Sequence, residues 1–210
     1  MGAISTWVHP IEEESYRILG ERVDLSAWPA GSAAVVARVI HATADLEYAA
    51  TMVVDEAAVE AGVAALRSGA PVVADVKMTR DGITGVQVIS YLDAIPSAQA
   101  NPSSVDDFGR PAPTRSALAM RHAAEIHPEG AVFVIGCAPT ALEELIRLVG
   151  SDVLRPALVI GMPVGFVGAA ESKDALRRSG ILSITNRGEK GGSAAAAAAC
   201  NALVRLANNG

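Results

Sequence analysis

From Ala131 to Thr185 the chain reads AVFVIGCAPTALEELIRLVGSDVLRPALVIGMPVGFVGAAESKDALRRSGILSIT. Three runs in it, AVFVIG (131–136), PALVIG (156–161) and ILSIT (181–185), are apolar almost without a break. Uninterrupted apolar runs mark strands buried on both faces, whereas half-exposed strands alternate. The segments between them, 140–148 and about 171–178, have helical length and pattern; a helix over about 114–126 precedes the series and an Ala-rich one follows from 193. Strand and helix in alternation predict a parallel sheet covered on both faces. Working toward the N-terminus, PVVADV (71–76) and GVQVISYL (85–92) read as further strands. Residues 31–44 and 55–68 read as helices, with Val36, Val39, Ile40 and Thr43 at helical spacing in the first. Asp55 is a candidate N-cap and Gly69 a stop for the second. The Ser-, Pro-, Asn- and Asp-rich stretch 96–113 reads as a long loop of the kind that is functional or mobile. The expected fold is a single α/β domain over residues 1–210, a three-layer α/β/α arrangement of flavodoxin type around a mostly parallel sheet.

Composition narrows the function classes. Of 210 residues half are hydrophobic and 19% charged, ample apolar surface for a core and no case for disorder. Aromatics are only 4%, so the apolar mass is Ala, Val, Leu and Ile. Mean hydropathy is +0.31, yet the longest uncharged stretch, 156–170, spans fifteen residues with two prolines and three glycines, too short for a bilayer. No signal peptide is visible, so a soluble cytoplasmic protein is expected, without membrane partners. The net charge of −6, with basic residues scattered among acids, argues against nucleic acid but leaves a small anionic ligand open. Cys137 and Cys200 stand without zinc spacing and read as buried structural residues; no metal site is expected.

In parallel sheets ligands gather at the carboxyl ends of strands. That rule selects residues 77–79, 137–140, 162–165 and 186–193, loops rich in small residues. GMPVGFVG (161–168) is a poor match to the dinucleotide fingerprint, and GEKGGS (188–193) lacks the P-loop pattern, so no nucleotide is named. Among the histidines, His41 stands apart on an apolar-flanked helix with Asp45 four residues later, a spacing that would let the carboxylate orient the imidazole. The bland reading is a half-buried histidine near a helix end; the sharper one is a proton donor or acceptor. Arg115, beside Thr114 and Ser116 at a helix start, suits a carboxylate or is ordinary surface charge.

Taken together, ESYR (14–17), RVIHATAD (38–45), ADVKMTRDGIT (74–84), PTRSA (113–117), APTAL (138–142), GMPVGFVGAAESK (161–173) and GGSA (191–194) resemble the precorrin-8X methylmutase (precorrin isomerase) family of cobalamin biosynthesis, from about residue 9 onward. The resemblance implies an isomerase that moves a methyl group from carbon 11 to carbon 12 of precorrin-8X to give hydrogenobyrinate. No external methyl donor and no cofactor is implied. It places the proton-handling role on His41, tuned by Asp45, and substrate contacts on Ser15, Thr84 and Arg115. The loop residues Gly161, Met162 and Pro163 are then expected to face the macrocycle, with GEKGGS meeting a carboxylate. It further implies a homodimer whose pockets are completed by both subunits, with the tetrapyrrole and its corrinoid product as ligands. Two positions depart from the family pattern: Cys137, where Asn is common, and Glu189, where a basic residue is common. Competing readings are a cobalt-precorrin-8 methylmutase, a non-catalytic corrinoid carrier and a flavodoxin-like nucleotide protein; among these the metal-free isomerase leads.

Overall fold

The computed structural model describes residues 9–97 and 112–209. The loop expected over 96–113 therefore falls mainly outside the described residues. The apolar runs form the strands β2 (Val72–Ala74), β4 (Val132–Ile135), β5 (Leu158–Gly161) and β6 (Ser183–Asn186). β1 (Met52–Val54) and β3 (Val88–Ile89) supply the edges of a sheet ordered β1-β6-β5-β4-β2-β3. β1 runs antiparallel to β6 and every other pairing is parallel. Counted in chain order, the parallel strands lie 2-1-3-4-5, the flavodoxin-like order, with its switch point between β2 and β4.

Alternate strand residues feed two cores. Val132, Val134, Leu158, Ile160 and Ile184 pack with α1 (Pro10–Arg22), α2 (Ala30–Thr43), α4 (Glu56–Arg67) and α9 (Ser193–Asn208). Phe133, Ile135 and Val159 point the other way, to α6 (Arg115–Ile126), α7 (Pro139–Gly150) and α8 (Ala169–Arg178). Buried aliphatic side chains of this size each contribute about 1.5–3 kcal/mol, which is what holds three layers together. The alanines of α9 let its neighbours approach closely: a Cβ added at Gly82 would stand 2.9 Å from Ala197 Cβ. Gly82 ends α5 (Lys77–Gly82), and a short α3 (Tyr48–Thr51) leads into β1.

Three local expectations change. Residues 77–79 begin α5 rather than a loop, because the chain turns into a helix directly from Val76. Of 85–92 only Val88–Ile89 pairs; Gly85 at φ 81° precedes it and a 3₁₀ turn at Leu92–Ala94 follows. Cys137 is exposed, since β4 ends at Ile135 and delivers it to the loop above the sheet. Cys200 is buried on α9, and that burial pushes its thiol up to about 12.

Candidate active site

α1 begins at Pro10, a residue suited to a first helical turn. Its one buried residue is Leu19, which anchors it beside α2 and leaves Ser15 and Tyr16 facing the end of that helix. There Ser15 Oγ lies 2.8 Å from His41 Nδ1, and the Tyr16 ring stacks on the imidazole at 4.8 Å between centroids and 12° between planes. One contact holds the ring's Nδ1 edge and the other its plane, and neither engages Nε2. Burial, Arg38 and Arg205 press the His41 pKa below its ordinary 6.5, against an opposing pull from Glu12. Around neutral pH the resting imidazole is neutral. If Ser15 donates its hydroxyl proton to Nδ1, the ring proton sits on Nε2, ready to be lent.

The carboxylate expected to orient His41 does something else. Ala44 takes the left-handed conformation at φ 53° and ends α2, so Asp45 leaves the helical path. Lys190 Nζ then binds Asp45 Oδ2 at 2.6 Å and Glu47 Oε2 at 2.7 Å. That ion pair holds the Asp45 pKa below and the Lys190 pKa above their usual ranges. The lysine of the GEKGGS turn thus meets carboxylates of its own chain.

Lys173, fully buried on α8, fixes this turn from beneath, donating to the carbonyl of Lys190 and to Asn186 Oδ1. Burial and the nearby Arg177 push its pKa down to about 8. An unfolded lysine titrates near 10.4, so between these values the unfolded chain holds more protons and stability rises with pH. Lys173→Met is expected to abolish that rise, as read from urea unfolding at a series of pH values across the window.

Thr84 lies just past α5, its amide donating to Asn201 Oδ1 at 2.8 Å while Asn201 Nδ2 donates to Gly82 O. Asn201 and Arg205 are one turn apart on α9, and Arg205 reaches Glu12 on α1, one turn before Ser15. Ser15, His41 and Thr84 therefore border one helical face, made by α1, α2 and α9. Arg115 does not join them within the chain. It heads α6, in the opposite layer, and donates through Nε to Ile95 O at 3.1 Å and Nη2 to Leu92 O at 2.8 Å.

Gly161, Met162 and Pro163, expected to face the macrocycle, are buried; the chain reaches the surface only at Val164. The reason is helix packing. A Cβ at Gly161 would stand 2.6 Å from Leu176 Cδ2 and 3.2 Å from Leu142 Cδ1, and Met162 belongs to the core under α9. Gly161→Ala is accordingly expected to lower unfolding free energy by about 1–3 kcal/mol, the usual cost of overpacking, measured in urea.

At the switch point the site that would receive a phosphate is filled by the chain itself. Fully buried Asp75 accepts from the amides of Val76, Gly136, Cys137 and Ala138 and from Thr79 Oγ1. This argues against nucleotide at that position and turns attention to the helical face. Asp75, Glu12, Arg205 and Lys173 carry no site reading in the sequence; of these only Asp75, an acid closing the apolar run VVAD, has a local signal.

Comparison with known proteins identifies the family and the fold. A family profile described as precorrin-8X methylmutase matches residues 10–206. The chain belongs to the precorrin-8X methylmutase family. A cobalt-precorrin-8 methylmutase of Priestia megaterium is 40% identical over 200 residues, covering 95% of this chain and 88% of that protein. The precorrin-8X methylmutase of Pseudomonas aeruginosa is 38% identical over 197 residues, covering 92% and 93%. The solved precorrin-8X methylmutase of Thermus thermophilus superposes with a TM-score of 0.82 at 38% identity, covering 95% of this chain and 96% of that one. This methylmutase is thus an intramolecular methyl-transferring isomerase of cobalamin biosynthesis acting on a precorrin-8 tetrapyrrole. Among its described residues no helix is long and apolar enough to cross a membrane.

Proposed function

We propose that the enzyme converts metal-free precorrin-8X to hydrogenobyrinate, with His41 as the group that handles the proton. The observation that carries this reading is the imidazole held at Nδ1 by Ser15 and in plane by Tyr16, with Nε2 left to the ligand. In the reaction the methyl carbon's bond to carbon 11 breaks as its bond to carbon 12 forms. The step takes up no net proton: a proton lent by Nε2 as the methyl moves leaves the ring an imidazolate, stabilised at Nδ1 by the Ser15 hydroxyl, and is returned when the methyl has moved. Orientation then supplies most of the acceleration, which suits a site with no evident nucleophile. Ser15 and Thr84 contact the substrate from the α1–α2–α9 face. Gly161, Met162 and Pro163 form packed support beneath the loop instead of touching the ring.

Arg115 reaches the ligand from a second subunit. Its place in the layer opposite His41 supports this, as do Phe166 and Val167, 89% and 88% exposed, which offer apolar surface for a subunit contact. A mixture of two inactive variants tests the shared pocket. Hybrid dimers of His41→Ala and Arg115→Ala subunits carry one intact site, so random exchange restores about a quarter of the sites. Pockets built from one chain restore none.

The cobalt-containing substrate is a second reading, favoured by the 40% identity to the Priestia methylmutase. An absorbance assay with precorrin-8X beside cobalt-precorrin-8 decides. Faster turnover of the metal-free ring is expected; the opposite order overturns the branch assignment, and turnover of neither overturns the substrate.

A further inference from the structure

Two guanidinium groups converge on one carboxylate oxygen beside His41. Arg38 Nη1 on α2 and Arg205 Nη2 on α9 lie 3.1 and 3.0 Å from Glu12 Oε1 on α1. The three side chains are 28, 48 and 22% exposed, so the cluster lies on a rim that solvent reaches. Arg38 precedes His41 by three residues on α2, and Glu12 precedes Ser15 by three on α1, which puts the cluster one helical turn from the Ser15–His41 pair. Two cations share one anion, leaving a formal excess of positive charge that both arginines impress on His41.

As a structural tie this arrangement is a poor one, because rim ion pairs add little to stability and α1 is already anchored through Leu19. As a receptor it is well made. Planar guanidinium forks match carboxylate geometry, and arginine holds its charge at every physiological pH.

We infer that Arg38 and Arg205 form a fork for one carboxylate arm of the tetrapyrrole, and that Glu12 is an internal ligand occupying the fork until the substrate displaces it. The inference rests on the proposed function for the identity of the polycarboxylate. Displacement exchanges one carboxylate for another, so the local charge is conserved and Glu12 swings into water. It also places one rim of the macrocycle a helical turn from the imidazole, fixing which ring atoms meet Nε2.

A tie and a displaceable ligand predict opposite outcomes for Glu12→Gln. The test titrates hydrogenobyrinate into each variant, following its absorbance, with the fully methyl-esterified compound as an uncharged control. Removal of the competing charge is expected to tighten binding of the free acid about fivefold, and Arg205→Met to weaken it about tenfold, the scale of a charge-assisted contact. The gain is lost in the double variant, and the ester responds to none of these changes. Glu12→Asp, which withdraws the carboxylate by one methylene, shifts affinity in the same direction as Glu12→Gln and serves if the latter folds poorly. Weaker or unchanged binding in both Glu12 variants, or an ester that tracks the acid, overturns the fork. A protein that isomerises precorrin-8X without this pattern refutes the fork alone. One that neither binds hydrogenobyrinate nor turns over precorrin-8X refutes the proposed function beneath it.

Discussion

Alanine in place of His41 is expected to lower turnover of precorrin-8X by about two to four orders of magnitude, the range in which a positioned acid or base contributes. Affinity for hydrogenobyrinate should change only a few-fold, because the ligand's carboxylates are met by other groups. Ser15→Ala leaves the imidazole in place and frees its Nδ1 edge; a loss of about tenfold is expected, the scale of one hydrogen bond. The pH profile separates a chemical role from a packing one. kcat/KM reports the free enzyme, in which burial and the two neighbouring arginines depress the His41 pKa. With the neutral ring as the working form, activity falls as pH drops through a value below 6.5, and the acid limb is absent from the residual activity of His41→Ala. Arg38→Met removes one depressing cation and moves that limb upward. Unchanged turnover by His41→Ala would remove His41 from the chemistry and leave the family's reaction to orientation alone.

The sheet was legible because its strands are buried on both faces, which leaves a continuous apolar signature in VFVI and LVIG. α1 and β1 left little trace. α1 buries only Leu19 among its charged residues, and β1 is three residues long, so neither sets up a readable period. The same contrast governs the site. His41 stood out locally, but its partners did not: Ser15 is 26 residues away, and the pairing depends on how α1 docks rather than on any spacing along α2. The i,i+4 rule pointed to Asp45 and failed at Ala44, whose left-handed backbone ends the helix just before the carboxylate. Glycine was ambiguous for a related reason. Gly161 admits Leu142 and Leu176, a tertiary requirement that in sequence looks the same as room for a ligand. GMPVG marks the family strongly although its first three residues are buried in packing, so a motif that identifies a family need not outline a pocket.

Asp75→Ala is expected to be the most destabilising single change, about 3–5 kcal/mol, the cost of breaking one side of a buried charged network. The carboxylate is fully buried and accepts from four backbone amides at 2.8–3.2 Å, besides the Thr79 hydroxyl at 3.0 Å. Thr79 passes the network on to Ser193 Oγ at the start of α9, 2.9 Å away. Alanine leaves those donors facing a void, and at about 2–4 °C per kcal/mol for a chain of this size the melting temperature falls by about 10 °C. Asp75→Asn keeps the volume but turns an amide group toward donors, so its loss is intermediate. The position explains the severity. In sheets of this order the gap between β2 and β4 opens a cradle of amides that elsewhere receives a ligand's anion. Here the chain fills it with its own carboxylate, locking the loops after both strands and the head of α9, which supports the proposal that the ligand binds on the α1–α2–α9 face instead. Formate, which has the size and charge of the deleted group, should therefore recover part of the lost melting temperature in Asp75→Ala and leave the unmodified protein unchanged. Equal effects of formate on both proteins would mean that the cradle collapses on truncation, and that Asp75 shapes the carboxyl edge rather than occupying a preformed anion site.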